Sequence, residues 1–198
     1  PLNECDWSSL IINNLNLNEV FKRQILEPNL EKRLELKTNN QQMITDKVSK
    51  IVQQQYEENP YPRWINLHLR LFPLSIAEVI AETQIKLNNS SIININNPKI
   101  LVAGCGTGQE AIHTATLYKN SHVLAIDLSN TSLKYAKRKT KELGIKNIEY
   151  IQFDLLDLKK LNRKFDIIIC AGVLHHMHNP LKGWSTLTAC LNDGGLMY

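Results

Sequence analysis

The chain has 198 residues, 43% hydrophobic and 21% charged, enough apolar material for one core and a small appendage, which excludes a disordered or fibrous protein. Its formal charge of +4 and pI near 8.9 fall short of the dense Lys/Arg patches of a dedicated nucleic-acid binder, so no nucleic-acid partner is expected. Cys5, Cys105, Cys170 and Cys190 are dispersed and form no CxxC pair, which points to reduced thiols in a cytoplasmic protein rather than to a zinc site or a disulfide framework.

No apolar run reaches the roughly 18 residues of a membrane span, and no signal peptide opens the chain, so no membrane partner is expected. Pro1 is not an initiator methionine, and "NDGGLMY" stops where a strand is under way. Both ends therefore read as cut from a longer protein.

Residues 1–97 read as an N-terminal helical arm or lid region without strand alternation. "TDKVSKIVQQQYEEN" places Val48, Ile51, Val52 and Tyr56 at helical spacing, with Thr45 or Asp46 available as N-cap. "LSIAEVIAETQIKL" repeats the pattern with Ile76, Val79, Ile80 and Thr83. Between them the two prolines of "NPYPRW", Asn59 to Trp64, favour an extended or turned segment.

From residue 98 strands and helices alternate. "KILVAG", "HVLAID", "NIEYIQFD", "FDIIICAG" and "GGLMY" are short apolar strands. Three helices separate them: "GQEAIHTATLYK", with Ala111, Ile112, Ala115 and Leu117 on one face; "NTSLKYAKRKTKELG", with Leu133, Ala136, Thr140 and Leu143; and "PLKGWSTLTACLN". Continuous apolar strands alternating with amphipathic helices predict a doubly wound α/β domain with a mostly parallel, Rossmann-like sheet.

In such a sheet ligands bind beyond the carboxyl ends of the strands, where "VAGCGTGQE" puts three glycines, Gly104, Gly106 and Gly108. A Walker phosphate loop needs Lys and Ser/Thr after its last glycine, and Gln109-Glu110 stands there instead. A dinucleotide fingerprint wants a third glycine where Gln109 lies, and Glu110 at the helix start repels a pyrophosphate. A nicotinamide-linked oxidoreductase is therefore a minor alternative. Asp127 ends the second strand and is placed to accept from both hydroxyls of a ribose, and Asp154 ends the third and is placed to accept from an exocyclic amine such as that of adenine. Together these features describe a site for a nucleoside without phosphates.

On "VAGCGTG" (Val102 to Gly108), Asp127, Asp154-Leu155 and "FDIIICAGVLHHM", residues 98–198 resemble the Rossmann-like S-adenosylmethionine-dependent methyltransferases. The resemblance implies strand order 3-2-1-4-5, with the family's last two strands missing after Tyr198. "LNDGGLMY" stands where the family has a "L-x-P-G-G-x-L" turn, with Asp193 in the proline's place. The implied S-adenosylmethionine site comprises Ala103, Gly104, Cys105, Gly106, Gly108, Asp127, Leu128, Asp154, Leu155 and Ala171, and the methyl group faces Ala171 to His176. Val102 replaces the acidic residue many members carry at the start of the first motif. The acceptor is a small molecule or a protein side chain; the alternative is a binding or scaffold module without turnover. "QQYEENPYPRW" resembles the segment before the methyltransferase domain in proteins where that domain follows tetratricopeptide repeats.

Several groups keep two readings. His175, His176 and His178 lie after the fourth strand; either of the first two can serve as general base or merely shape the wall, and no carboxylate or Cys completes a metal set. Cys105 is better explained as a small turn residue than as a nucleophile, because no base adjoins it. Lys134, Lys137, Arg138 and Lys141 read as a solvated helix face rather than an RNA stripe. Tyr56, Tyr61, Arg63 and Trp64 form either a lid, with Arg63 pairing a carboxylate, or an anchor for the arm.

Overall fold

The computed structural model describes residues 15–38, 44 and 46–198; Cys5 and Thr45 lie outside them. The chain divides into a unit that runs to Glu35 and a unit from Leu36 to Tyr198. In the first, α1 (Leu15–Phe21) passes through a π-helical turn, Lys22–Leu26, into α2 (Glu27–Arg33). Pro28 lacks an N–H and its ring crowds the carbonyl four residues back, at Gln24, which accounts for the widened turn there.

The second unit is built on a parallel sheet. Its strands are β1 (Lys37–Thr38), β2 (Lys99–Ala103), β3 (His122–Asp127), β4 (Ile148–Gln152), β5 (Phe165–Ile169) and β6 (Leu191–Met197). Their order is β1-β4-β3-β2-β5-β6. Without β1 this is the expected 3-2-1-4-5 arrangement, and the two-residue β1 adds an edge strand beside β4 that is too short to alternate visibly in sequence. The strands read as continuous apolar runs because both faces are covered. Ile100 and Val102 face one core with Ala111, Ala115, Leu133 and Ala136 of α5 (Gln109–Leu117) and α6 (Asn130–Glu142). Leu101 and Ala103 face the other, which holds Ile168 and Leu187 of α7 (Pro180–Ala189).

Three local expectations change. Helix α3 (Lys47–Glu58) starts at the Asp46 N-cap, whose carboxylate accepts from the Ser49 N–H at 2.8 Å, but Ile51 on it is exposed and Ser49 is buried. The expected glycine turn at 191–195 is instead drawn into β6 as an irregularity opposite Phe165–Ile167, with Gly194 at φ +75°. On α6, Arg138 is buried: its guanidinium lies 4.9 Å from the Tyr135 ring centre and pairs with Glu142 at 2.5 Å, so the basic run is not a uniformly solvated face. By contrast α4 (Ile76–Thr83) follows its pattern, with Ile76 buried and a reciprocal Ser75–Glu78 capping box.

Candidate cofactor site

The turn from β2 into α5 holds Gly104, Gly106 and Gly108 at φ +71°, +51° and +86°, a left-handed backbone that side-chain-bearing residues rarely adopt. A Cβ on Gly104 would lie 2.2 Å from Val173 Cγ2, and one on Gly108 would lie 2.5 Å from Ala136 Cβ. Two of the glycines therefore admit other parts of the protein. Gly106 alone meets nothing closer than 3.4 Å, the Tyr61 carbonyl.

Asp127 ties this loop to the next turn. Its Oδ2 accepts from the Gly106 N–H and its Oδ1 from the Ser129 N–H, both at 2.8 Å. Burial raises its pKa, and those two amides oppose the shift without cancelling it. Asp154 caps a 3-10 turn (Leu155–Leu161), accepting from the Leu156 N–H at 2.9 Å, and burial raises its pKa too. Each carboxylate keeps lone pairs beyond those the backbone uses.

These groups line one cavity of about 650 Å³ at the carboxyl ends of the strands. Of the ten residues expected at the cofactor, Gly104, Cys105, Gly106, Asp127, Leu128, Asp154, Leu155 and Ala171 lie on its wall. Ala103 and Gly108 do not: Ala103 packs inside the sheet, and Gly108 sits against α6 as the N-cap of α5. His176 and His178 reach the wall, and His175 adjoins His176 with ring centres 4.0 Å apart and planes tilted by 43°. Burial pushes the Cys105 thiol well above its usual range, which suits an inert wall residue. Among the described residues no group of three or more His, Cys, Asp or Glu side chains is arranged to hold a metal ion.

The proline-broken segment divides between its two readings. Trp64 is buried, donates from Nε1 to the Thr107 carbonyl at 3.1 Å, and accepts on its own carbonyl from the Tyr135 hydroxyl. Thr107 Oγ1 returns a bond to the Pro62 carbonyl at 2.5 Å. Arg63 lies over the Tyr135 ring at 5.1 Å and is outside the cavity wall, so it braces the strap instead of reaching a ligand carboxylate. Tyr56, Tyr61 and Pro62 do face the cavity, beneath the tip of the glycine loop.

Of the wall that α3 supplies, the sequence reading offered only Tyr56, as part of a lid. Asp46, Ser49, Val52 and Tyr56 all line the cavity. The Ser49 hydroxyl lies near enough to the Asp46 and Asp154 carboxylates to favour their ionised forms. Ser49 carries no hydrophobic signal, and Val48 and Val52 read as core spacing, so only Tyr56 and the N-cap pattern hinted at this face.

A parallel sheet with this order, a glycine turn after its first central strand and acidic residues after the next two define a Rossmann-like nucleoside-binding domain. The chain matches the family described as a methyltransferase domain over residues 101–197, and this region has the Rossmann-like fold of the S-adenosylmethionine-dependent methyltransferases. It is 36% identical over 105 residues to an uncharacterized protein of Synechococcus, covering 52% of this chain and 25% of that one. It is 35% identical over 103 residues to the ubiquinone biosynthesis O-methyltransferase of Rickettsia canadensis, covering 52% and 42%. The solved structure of PKMT2 from Rickettsia typhi in complex with AdoHcy aligns with a TM-score of 0.52 at 27% identity, over 66% of this chain and 26% of that one. The chain thus spans only part of the length of each of these relatives.

Proposed function

We propose that this chain binds S-adenosylmethionine and transfers its methyl group to a small-molecule or protein acceptor. The observation that carries the reading is convergence: the glycine turn, Asp127 and Asp154 line one cavity, although they come from three different strand ends. The donor set fits this cofactor. Two carboxylates suit hydroxyl and amine donors, and Glu110 in the first turn of α5 disfavours a phosphate.

In this reading Asp127 accepts from the ribose hydroxyls, and Asp154 beside Leu155 accepts from the adenine amine. The turn at Gly106 lets backbone approach the ligand without a side chain between them. When bound, S-adenosylmethionine supplies an electrophilic methyl on a sulfonium. The protein's contribution is then placement of the acceptor in line and exclusion of water, by Tyr56, Tyr61, His176 and the 171–173 backbone. His176 on the wall is the candidate base for an acceptor that must lose a proton. Residues 98–198 form the cofactor domain, and the 1–97 arm contributes the lid through α3 and the 59–64 strap. The thiols of Cys105, Cys170 and Cys190 are free, as suits a cytoplasmic setting, and no helix among the described residues is long and apolar enough to cross a membrane.

Calorimetric titration with S-adenosylhomocysteine tests the first step. Saturable binding that Asp127→Ala weakens by at least tenfold is expected, and no heat with the parent chain refutes the cofactor assignment. Transfer of labelled methyl to small molecules or lysate proteins tests the second; binding without any transfer leaves a scaffold module.

A further inference from the structure

Helix α3 carries Ser49, Gln53 and Glu57 four residues apart, one above another on a single face. Each meets a different part of the cavity's polar frame. Ser49 stands beside the Asp154 carboxylate on the cavity wall and favours its ionised form. Gln53 Nε2 donates to the Leu128 carbonyl at 3.1 Å, an oxygen that also accepts from Gln152 Nε2 at 2.9 Å. Glu57 reaches the amino end of α6: its Oε1 accepts from the Asn130 N–H at 2.7 Å, and its Oε2 accepts from the Thr131 N–H at 2.8 Å and the Thr131 hydroxyl at 2.6 Å. Ser129 Oγ completes the clasp by donating to the Tyr56 carbonyl at 3.0 Å.

A free helix end presents N–H groups and a positive partial charge, and here a carboxylate from a different helix satisfies both. The turn it holds is 128–131, directly after Asp127, whose Oδ1 depends on the Ser129 N–H for its orientation. We infer that Glu57 is a positioning residue for the nucleoside site, holding the turn that orients Asp127 and docking α3 over the cavity. The inference rests on the cofactor reading above. Glu57 touches no reacting atom; it acts through Ser129, Asn130 and Thr131.

Glu57→Gln leaves one acceptor oxygen and turns an amide toward backbone donors. Its affinity for S-adenosylhomocysteine, measured by calorimetry well below the unfolding temperature, is expected to fall about tenfold or more, the scale of one lost charge-assisted hydrogen bond. Thr131→Val removes only the hydroxyl donor and is expected to give a smaller loss in the same direction. Amide exchange at 130 and 131 is expected to quicken in Glu57→Gln. Ile168→Val, a core change in β5, serves as control: it lowers the melting temperature without altering affinity. If the parent chain does not bind, the cofactor reading falls and this inference with it. If the parent binds and both Glu57→Gln and Thr131→Val bind within about twofold of it, the clasp alone is refuted. Should Glu57→Gln fail to fold, Thr131→Val with Gln53→Ala decides, and parental affinity in both overturns the inference.

Discussion

Replacing Gly104 by alanine should destabilise the fold for two separable reasons. The first is backbone: at φ +71° an alanine pays roughly 1–2 kcal/mol that glycine does not. The second is overlap, because the new Cβ would lie 2.2 Å from Val173 Cγ2. Val173 is β-branched and stiff, so relief requires backbone movement, and overpacking of this kind costs about 1–3 kcal/mol. The sum is about 2–5 kcal/mol, which urea denaturation should register as a midpoint lowered by about 1–2 M. Val173→Ala alone removes two partly buried methyls and should cost about 1 kcal/mol. In the double variant the 2.2 Å overlap is gone and only a 3.3 Å contact with the Cβ of residue 173 is left, while the backbone cost remains. Gly104→Ala/Val173→Ala should therefore be more stable than the sum of the single effects by about 1–3 kcal/mol. Additivity within about 0.5 kcal/mol would refute the claim that Gly104 is glycine because Val173 leans on it.

Other outcomes follow from the same geometry. Asp127 and Asp154 have pKa values raised above the ordinary 3.8, so the native state holds protons that the unfolded chain has released, and their contribution to stability falls as pH rises from about that value through the raised one. Only the ionised carboxylates accept fully, so S-adenosylhomocysteine affinity should rise over the same window; an affinity that is flat from pH 4 upward contradicts this. Trp64→Phe keeps one aromatic ring, loses the pyrrole half and leaves the Thr107 carbonyl without its donor, and should cost about 1–3 kcal/mol in urea unfolding; an unchanged midpoint would show that the strap does not brace the loop. Burial pushes Cys170 up to about 11 and Cys105 well above its usual range, so neither should react with iodoacetamide at neutral pH in the folded protein, a point that mass spectrometry of alkylated peptides can check.

The second half of the chain was legible because its physics is local. Strands buried on both faces leave unbroken apolar runs, and a left-handed turn leaves glycines, so β2 to β5 and the cavity-lining Gly104, Gly106, Asp127 and Asp154 could be picked out from the sequence. What escaped was set by partners distant in sequence. Ile51 reads as core on α3, yet the buried face is polar, because the surface it meets is a row of backbone amides and carbonyls and not a hydrophobic layer. Arg138 reads as solvated until Tyr135 and Glu142 are seen to enclose it. Gly104, Gly106 and Gly108 share a motif, but the missing side chains at Gly104 and Gly108 make room for Val173 and Ala136. Glycine spacing alone does not separate ligand approach from close packing.

The contacts between α3 and the α6 turn join residues 73 and 74 positions apart. During synthesis α3 is complete long before β3 and α6 exist, so its polar stripe has only water to bond until most of the sheet is assembled. Closing so long a loop for a few polar contacts makes this docking a late event in folding and an early one to be undone when the protein opens locally. Nucleoside binding would then report completion of the whole second unit, and a nascent chain holding the glycine turn but not α6 would be unable to bind.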